Sequence, residues 1–326
     1  MYLDITQPQL LEDYLKSKNW LKEHEPILSL EKPGEGNMNC TIRVRTHDRT
    51  FIVKQSRPYV EKYPQIAAPE ERAVIEGQFY QKVQPFRTLN SFMPQLIGLD
   101  EDKKILVLED VGVAGDYTFL YQPKQSLSLP EAESLADYLS LLHRLTWLET
   151  IDGTFANRKM RTLNHEHIFV YPFMEDNGFD LDTVQKGLQM IAMSYKTDAG
   201  LKKKITELGY FYLADGHSLL HGDFYPGSWL KTDSGIKVID PEFCFYGHPE
   251  FDLGVMTAHL MMSGQSEDTI RKVYQAYGDI KNPLLTDQFT GVEIMRRLLG
   301  LAQLPLSLSL LDKEELLEIA YDLITK

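Results

Sequence analysis

The stretch LLHGDFYPGSWL, residues 219–230, joins an apolar run to a turn that carries Asp223. A second apolar run ends in VIDPEF, residues 238–243, and places Asp240 seventeen residues after Asp223. Glu242 follows two positions later. Phosphoryl transfer needs such carboxylates, because one must orient or deprotonate the attacking hydroxyl while others hold the Mg²⁺ ions that neutralise the phosphates. The two segments therefore predict the catalytic half of a kinase-like phosphotransferase, with ATP and Mg²⁺ as cofactors.

Length, charge and cysteine content restrict the class of protein. A chain of 326 residues exceeds a usual single core, so two lobes that share one cleft are expected. The 34 Lys and Arg residues against 47 Asp and Glu residues give a net charge of −13, which argues against nucleic acid as a partner. With two cysteines, no basic leader and no apolar run of about 18 residues, we expect a cytoplasmic protein without a signal peptide or membrane contact. A homodimer is left open.

The secondary-structure pattern changes near residue 110. Before it, helices are predicted over 7–24 and 69–84, and short strands over 27–31, 40–46, 50–55 and 105–110. After it, strands are predicted around 229–231 and 236–239, an irregular segment over 150–182, and helices over 130–145, 251–263, 266–277, 288–303 and 312–325. We therefore expect an α+β fold with a small β-rich lobe over residues 1–110 and a larger, mainly helical lobe over 111–326.

The first strands enclose a glycine-bearing turn that contains Gly34, Gly36 and Asn37. Alone it predicts a phosphate cradle only weakly, because ordinary hairpins also use glycine. The prediction gains support from Lys54, which closes an apolar strand, and from Glu76 on the next helix. A strand lysine held by a helix glutamate presents its ammonium group to the α- and β-phosphates of ATP. We therefore assign all five residues to the nucleotide site.

Three further acidic residues bear on the nucleotide site. Glu70 and Glu71 are alternative partners for Lys54. Glu109 follows the apolar strand ILVL, where the backbone of a kinase-like hinge meets adenine. A capped, exposed strand end explains Glu109 equally well, so its assignment to the ATP site depends on its position alone.

Side chains with oxygen atoms cluster in sequence around the acidic segments. Ser228 supplies a neutral oxygen beside Asp240 and Glu242, and Mg²⁺ prefers hard oxygen ligands, so we predict these three as metal ligands. His221 is predicted to support its loop through hydrogen bonds. Asp252 is predicted to brace the same loop or to cap the following helix.

Arg296 and Arg297 are adjacent on an otherwise apolar helix. Neighbouring side chains on a helix point about 100° apart, so both can face one ligand only obliquely. Two surface arginines that balance an acidic protein explain the pair equally well.

Five segments together resemble the aminoglycoside phosphotransferase and choline kinase superfamily, and within it the 5-methylthioribose kinase branch. They are GEGNMN, FIVKQSRPYV, the HGD loop with its serine, VIDPEFCFYG with FDLG, and MRRLLGLA, which span about residues 34–303. The resemblance implies a protein-kinase-like fold and transfer of the γ-phosphate of ATP to a hydroxyl of 5-methylthioribose or a related sugar.

The resemblance also implies roles for individual side chains. It makes Asp223 the catalytic carboxylate and Lys54 the phosphate-binding lysine. It makes Asp240 and Glu242 metal carboxylates, and it brings Arg296 and Arg297 to the sugar-side pocket. The segment 162–182 and the pair Tyr225-Pro226 depart from the family pattern, and they leave the identity of the acceptor open.

Three other interpretations have to be weighed. A protein kinase is disfavoured because the ten residues between Asp240 and Phe251 leave no room for a long activation segment. A non-catalytic nucleotide-binding module is disfavoured because the lysine, the loop aspartate and the metal aspartate are all present. A kinase of the aminoglycoside or choline type, acting on a cationic small molecule, stays open because an acidic stretch carries Glu175, Asp176, Asp180 and Asp182.

Overall fold

The computed structural model describes residues 2–34, 38–112, 115–151 and 153–326. The chain divides into two compact units. The first contains Met1–Gly115 and Leu230–Cys244, and the second contains Asp116–Trp229 and Phe245–Lys326. The lobe boundary expected between residues 110 and 111 remains a prediction.

The helices and strands alternate in the first unit, whereas helices dominate the second. The strands are β1 (Ser29–Glu31), β2 (Cys40–Arg45), β3 (Thr50–Gln55), β4 (Tyr59–Val60), β5 (Tyr63–Ala67), β6 (Leu96–Asp100), β7 (Ile105–Glu109), β8 (Ser218–Leu220), β9 (Trp229–Thr232), β10 (Gly235–Val238) and β11 (Phe245–Gly247). The helices are α1 (Pro8–Ser17), α2 (Arg72–Val83), α3 (Arg87–Asn90), α4 (Leu129–Leu145), α5 (Arg158–His165), α6 (Leu188–Lys196), α7 (Ala199–Leu213), α8 (Glu250–Met262), α9 (Glu267–Tyr277), α10 (Pro283–Leu299) and α11 (Leu310–Thr325). Within the described ranges, no helix has the length and apolar character needed to span a membrane.

An antiparallel sheet with strand order β1-β2-β3-β7-β6 lies at the centre of the first unit. Alternate residues of its strands, among them Val44 and Val53, pack with Leu15 of α1 in one apolar cluster. Because successive side chains of a strand point to opposite faces, Lys54 lies on the face of β3 that is turned away from this cluster. That face is the one from which Glu76 of α2 reaches Lys54.

The strands predicted from the sequence are confirmed, and so are the helices, with ends that differ by a few residues. The first helix is the main exception, because it ends at Ser17 and not at residue 24. Asn19 adopts a left-handed φ of 59°, which an α-helix cannot accommodate and which asparagine tolerates better than most residues.

The expectation of an irregular segment over 150–182 is wrong in part, because α5 lies within it. The buried side of α5 includes Arg161, whose Nη2 donates hydrogen bonds to the carbonyl oxygens of Tyr212 and Ala214 at 3.0 and 2.9 Å. A helix that buries a guanidinium group in place of an apolar side chain shows no apolar period in its sequence.

Helix α8 is the central element of the second unit and is buried on almost every side. Gly254 allows α10 to pack closely against it, since a Cβ at this position would lie 2.8 Å from Phe289 Cβ and 3.0 Å from the carbonyl oxygen of Thr286. The buried face of α8 also carries Asp252 and His259, both fully excluded from solvent. Short strands β8 and β11 pair in antiparallel fashion and lead into and out of the two acidic segments.

Candidate active site

Lys54 and Glu76 form a buried ion pair in the first unit. Lys54 Nζ donates a 2.8 Å hydrogen bond to Glu76 Oε1 and contacts Asp240 Oδ1 as well. Burial lowers the pKa of Lys54, but the carboxylates of Asp240 and Glu76 outweigh this effect and hold the pKa above its usual range. The structure therefore joins a charged ammonium group to both predicted carboxylates.

Glu242 lies two residues beyond Asp240 and faces a second, deeply buried cation. Its Oε2 accepts a 2.8 Å hydrogen bond from Asn39 Nδ2 and lies 3.3 Å from Arg72 Nε. Arg72 also donates to the carbonyl oxygens of Met38 and Pro69, at 2.8 and 2.7 Å. Burial raises the pKa of Glu242, and Arg72 opposes that rise. Sequence reasoning missed Arg72, which belongs to no recognised motif, and it gave no role to Asn39, although Asn39 ends the GEGNMN segment.

The remaining residues assigned to the nucleotide are only partly described. Gly34 lies in the bend that follows β1, whereas Gly36 and Asn37 lie outside the described residues. Glu109 ends β7 and is bound to Gln95 twice: its backbone N–H donates to the Gln95 carbonyl oxygen at 2.8 Å, and its Oε2 accepts from Gln95 N at 3.0 Å. The ATP-binding assignments of these residues remain predictions.

A tight loop in the second unit carries the HGD sequence. Asp252 accepts hydrogen bonds from the backbone N–H groups of His221 and Gly222 at 2.6 and 2.9 Å, and Gly222 has a φ of 86° that favours glycine. His221 Nδ1 accepts a 3.4 Å hydrogen bond from Asp223 N. The N-cap position of α8 is occupied by Pro249, so Asp252 braces the loop and does not cap the helix.

The part of this loop that follows Asp223 is fixed by contacts of Ser228 and Phe224. The Ser228 hydroxyl donates a 2.9 Å hydrogen bond to the carbonyl oxygen of Asp223. The buried Phe224 ring stacks on Tyr138 of α4, with 5.5 Å between ring centroids. The backbone on both sides of Asp223 is therefore fixed, while 24% of its side chain remains exposed.

Both arginines of α10 face Asp223. Arg297 Nη2 lies 3.5 Å and Arg296 Nη2 3.6 Å from Asp223 Oδ1. Burial raises the pKa of Asp223, the two guanidinium groups lower it, and the net pKa lies above the usual range. Glu293, three residues before Arg296 and four before Arg297, also contacts both arginines. The spacing of three and four residues was visible in the sequence and could have identified Glu293.

The side chains present can be compared with the needs of a magnesium ion. In the parts of the chain that the structure describes, no group of three or more His, Cys, Asp or Glu side chains is arranged to hold a metal. Mg²⁺ commonly takes one or two carboxylates and completes its shell with water and substrate phosphates. Asp240, with 41% of its side chain exposed, fits that pattern. Glu242 fits less well, because Arg72 already neutralises it.

The acidic stretch that favoured a cationic acceptor is engaged in local structure. Glu175 pairs with Lys202 at 2.8 Å. Asp176 and Asp180 accept hydrogen bonds from backbone N–H groups two residues ahead, and Asp182 accepts from the N–H groups of Gly187 and Gln189. The three aspartates therefore stabilise local backbone turns of the second unit, and Glu175 forms a surface ion pair.

Solved structures with a similar fold include a choline kinase and a spectinomycin phosphotransferase. A choline kinase from Streptococcus pneumoniae superposes with a TM-score of 0.54 and 14% identity, over 98% of this chain and 99% of that one. A spectinomycin phosphotransferase in complex with ADP and spectinomycin gives a TM-score of 0.51 at 14% identity, over 97% of each chain. The likeness at this level of identity establishes the protein-kinase-like α+β fold expected from the sequence.

Comparison of sequences gives more specific relatives. The methylthioribose kinase of Bacillus cereus is 26% identical over 283 residues, which cover 82% of this chain and 68% of the relative. That of Exiguobacterium sibiricum is 26% identical over 329 residues, covering 86% and 81%. The model of the phosphotransferase enzyme family matches residues 29–287, a span that contains Lys54, Asp223 and Asp240. Because this match extends over most of the chain, the protein belongs to the phosphotransferase enzyme family.

Proposed function

We propose that this phosphotransferase moves the γ-phosphate of ATP to a hydroxyl group of a neutral, sugar-like acceptor, with 5-methylthioribose as the leading candidate. The observation that carries the proposal is the contact of Asp223 with two guanidinium groups at 3.5 and 3.6 Å. The sequence relatives named methylthioribose kinase support the choice of acceptor.

On the nucleotide side, we assign Lys54 to the phosphates of ATP. Its buried pair with Glu76 keeps the ammonium group charged and fixed at the end of β3. Asp240 would hold Mg²⁺, which when bound would neutralise negative charge on the phosphates. These roles follow the general requirements of phosphoryl transfer, in which positioning and charge stabilisation supply most of the catalysis.

On the acceptor side, we assign Asp223 to the attacking hydroxyl. Its backbone is fixed by Asp252 through the loop and by Ser228, so the carboxylate has a defined direction. A carboxylate whose pKa lies above its usual range is a better proton acceptor than one in water. Asp223 would orient the hydroxyl and receive its proton as the bond to phosphorus forms.

The charges around Asp223 favour a neutral acceptor over a cationic one. Arg296 and Arg297 carry two positive charges, and Asp223 with Glu293 carry two negative ones, so the group is neutral as a whole. A cationic acceptor would have to approach two guanidinium groups that already occupy the carboxylate. Because the two guanidinium charges already compensate the two carboxylates, the group offers a cation no net attraction.

The test is release of ADP by purified protein with Mg-ATP and a panel of acceptors: methylthioribose, ribose, homoserine, choline and an aminoglycoside. Turnover with methylthioribose well above that with choline and the aminoglycoside is expected. Preferred turnover of a cationic acceptor would overturn the proposal on the acceptor. The matched control is Asp223→Ala, which should lose turnover with every acceptor and still bind Mg-ATP.

We also propose a cytoplasmic location. Both cysteines, Cys40 and Cys244, are thiols in the structure, in keeping with a reducing compartment.

A further inference from the structure

Glu293 connects two arginines that helical geometry would otherwise separate. Adjacent residues on a helix diverge by about 100°, yet Arg296 and Arg297 reach the same oxygen of Asp223. Glu293 precedes them by three and four residues, so it lies on the same side of α10 as both. Its Oε1 accepts a 2.8 Å hydrogen bond from Arg297 Nε, and its Oε2 accepts one from Arg296 Nε. One carboxylate therefore holds both guanidinium groups by their Nε atoms and leaves their Nη atoms directed at Asp223.

Glu293 is itself held by a buried histidine. His259 of α8 is fully excluded from solvent, and its Nε2 lies 2.9 Å from Glu293 Oε1. An ionised carboxylate can only accept hydrogen bonds, so Nε2 must carry the proton. Burial lowers the pKa of His259 to about 4, and hence the ring is neutral near pH 7 and the contact is a hydrogen bond between a neutral donor and a charged acceptor.

The other ring nitrogen of His259 has its own partner. Because the neutral ring carries one proton, Nδ1 is an acceptor, and the buried Tyr121 hydroxyl donates to it at 2.6 Å. The ring of Tyr225 packs on the same histidine, with 5.2 Å between centroids, and lies 5.1 Å from the guanidinium carbon of Arg297. The titratable and charged groups around His259 in the described part of the chain include Tyr121, Tyr225, Glu293, Arg296 and Arg297.

We propose that Glu293, oriented by His259 and Tyr121, is a positioning residue that sets both guanidinium groups of Arg296 and Arg297 against Asp223 and so determines how the acceptor hydroxyl is held. This inference rests on the proposed function for the assignment of Asp223 to the acceptor. A series of side-chain hydrogen bonds leads from Tyr121 through His259 to Glu293 and on to the arginine pair. Every residue of this series lies in the second unit. A single carboxylate with a fixed donor on one oxygen has little rotational freedom, and that rigidity passes to both arginines.

The principal test is Glu293→Gln, an isosteric change that removes the charge. A Gln side chain offers one accepting oxygen and one amide N–H₂, so one of the two arginines loses its acceptor. A displacement of about 1 Å at a reacting group can cost about a hundredfold in rate. We expect kcat/KM for the acceptor to fall by about that factor, while KM for ATP changes by less than about threefold. The matched control is Glu250→Gln, a buried carboxylate of α8 that accepts from Asn282 N and should retain full activity.

A pair of histidine variants tests the orienting step and remains informative if Glu293→Gln does not fold. His259→Gln keeps an amide N–H near the position of Nε2, whereas His259→Leu leaves Glu293 without that donor. We expect His259→Gln to retain most of the acceptor kcat/KM and His259→Leu to lose at least about tenfold. Equal losses in the two variants, or a folded Glu293→Gln enzyme within threefold of wild type, would overturn the inference.

A crystal structure of Glu293→Gln separates this inference from the proposed function, because it does not depend on turnover. At least one of the two guanidinium groups should move out of contact with Asp223. If both stay in place, Glu293 does not position them, whatever the acceptor is. If they move but the wild-type enzyme prefers a cationic acceptor, the positioning role stands and the proposed acceptor falls.

Discussion

Lys54 Nζ lies 2.8 Å from Glu76 Oε1. This contact connects the end of β3 to α2 on the face of the sheet that is turned away from the apolar cluster. The alternation of the strand turns Lys54 away from the apolar cluster that packs on α1, and burial leaves its ammonium group dependent on carboxylates for compensation. The pair therefore determines both the direction and the charge of the lysine.

Glu76→Gln should weaken both the binding of nucleotide and the folded state. The amide removes the charge that fixes Lys54, so the lysine is left to Asp240 alone. We expect the unfolding free energy to fall by several kcal/mol, since breaking one partner of a buried pair is strongly destabilising, and KM for Mg-ATP to rise by about tenfold or more because Lys54 loses its fixed position. Steady-state kinetics with ATP as the varied substrate measures the effect. Glu70→Gln, at an exposed position just before α2, is the control and should behave as wild type.

Asp252→Ala should disorder the HGD loop. The substitution leaves the backbone N–H groups of His221 and Gly222 without their acceptor, and each buried, unpaired donor costs about 1–3 kcal/mol. It also removes the partner of His143 Nε2 at 3.2 Å. We expect a fall in unfolding free energy of a few kcal/mol, together with loss of turnover. Chemical unfolding and ADP release measure the two effects, and wild-type turnover in a destabilised variant would contradict the bracing role.

The sequence predicts some of these contacts and not others for physical reasons. Lys54 and Glu76 were predictable because strand alternation and helix position are local properties. The hydrogen bond between Asn39 and Glu242 joins residues 203 positions apart, and no local pattern encodes it. His259 lies in helix α8, which is almost wholly apolar, and the sequence pattern of this helix indicates only that His259 is a core residue.

The arginine pair is an intermediate case. Local geometry predicted that Arg296 and Arg297 diverge, and this expectation omitted Glu293, whose carboxylate draws both side chains to one side. The resemblance to the kinase family implied that both arginines contact the acceptor, and this role remains a proposal. The contact with Asp223 could not be predicted from α10 alone, because it depends on the loop that follows β8.

Arg72→Met should be strongly destabilising. Arg72 is 1% exposed and donates to the carbonyl oxygens of Met38 and Pro69 while it neutralises Glu242. Methionine fills much of the same volume, but it leaves a buried carboxylate without its cation, a change that costs about 3–5 kcal/mol. The double variant with Glu242→Gln should recover part of that loss, because the uncompensated charge is then absent. Equal stability of the single and double variants in urea unfolding would argue against the ion pair.

His259 should make the stability of the protein depend on pH. Its pKa is about 4 in the folded chain, whereas the ordinary value is 6.5, so between these values the unfolded chain binds the proton more readily. Stability therefore rises with pH across this window and is lost as pH falls from about 6.5 towards 4. A shift of this size corresponds to about 3 kcal/mol in full and to about 2 kcal/mol between pH 7.5 and pH 5.

His259→Gln removes this contribution and leaves all other titrating groups in place. The difference in unfolding free energy between wild type and His259→Gln should therefore shift by about 2 kcal/mol, in favour of the variant, when the pH is lowered from 7.5 to 5. Urea unfolding at the two pH values measures the shift. His47→Gln, at an exposed bend, is the control variant. A constant difference between wild type and His259→Gln at both pH values would mean that the ring titrates alike in the folded and unfolded chains, and a shift in favour of wild type at pH 5 would mean that the buried ring is charged at neutral pH; either result would contradict the neutral ring.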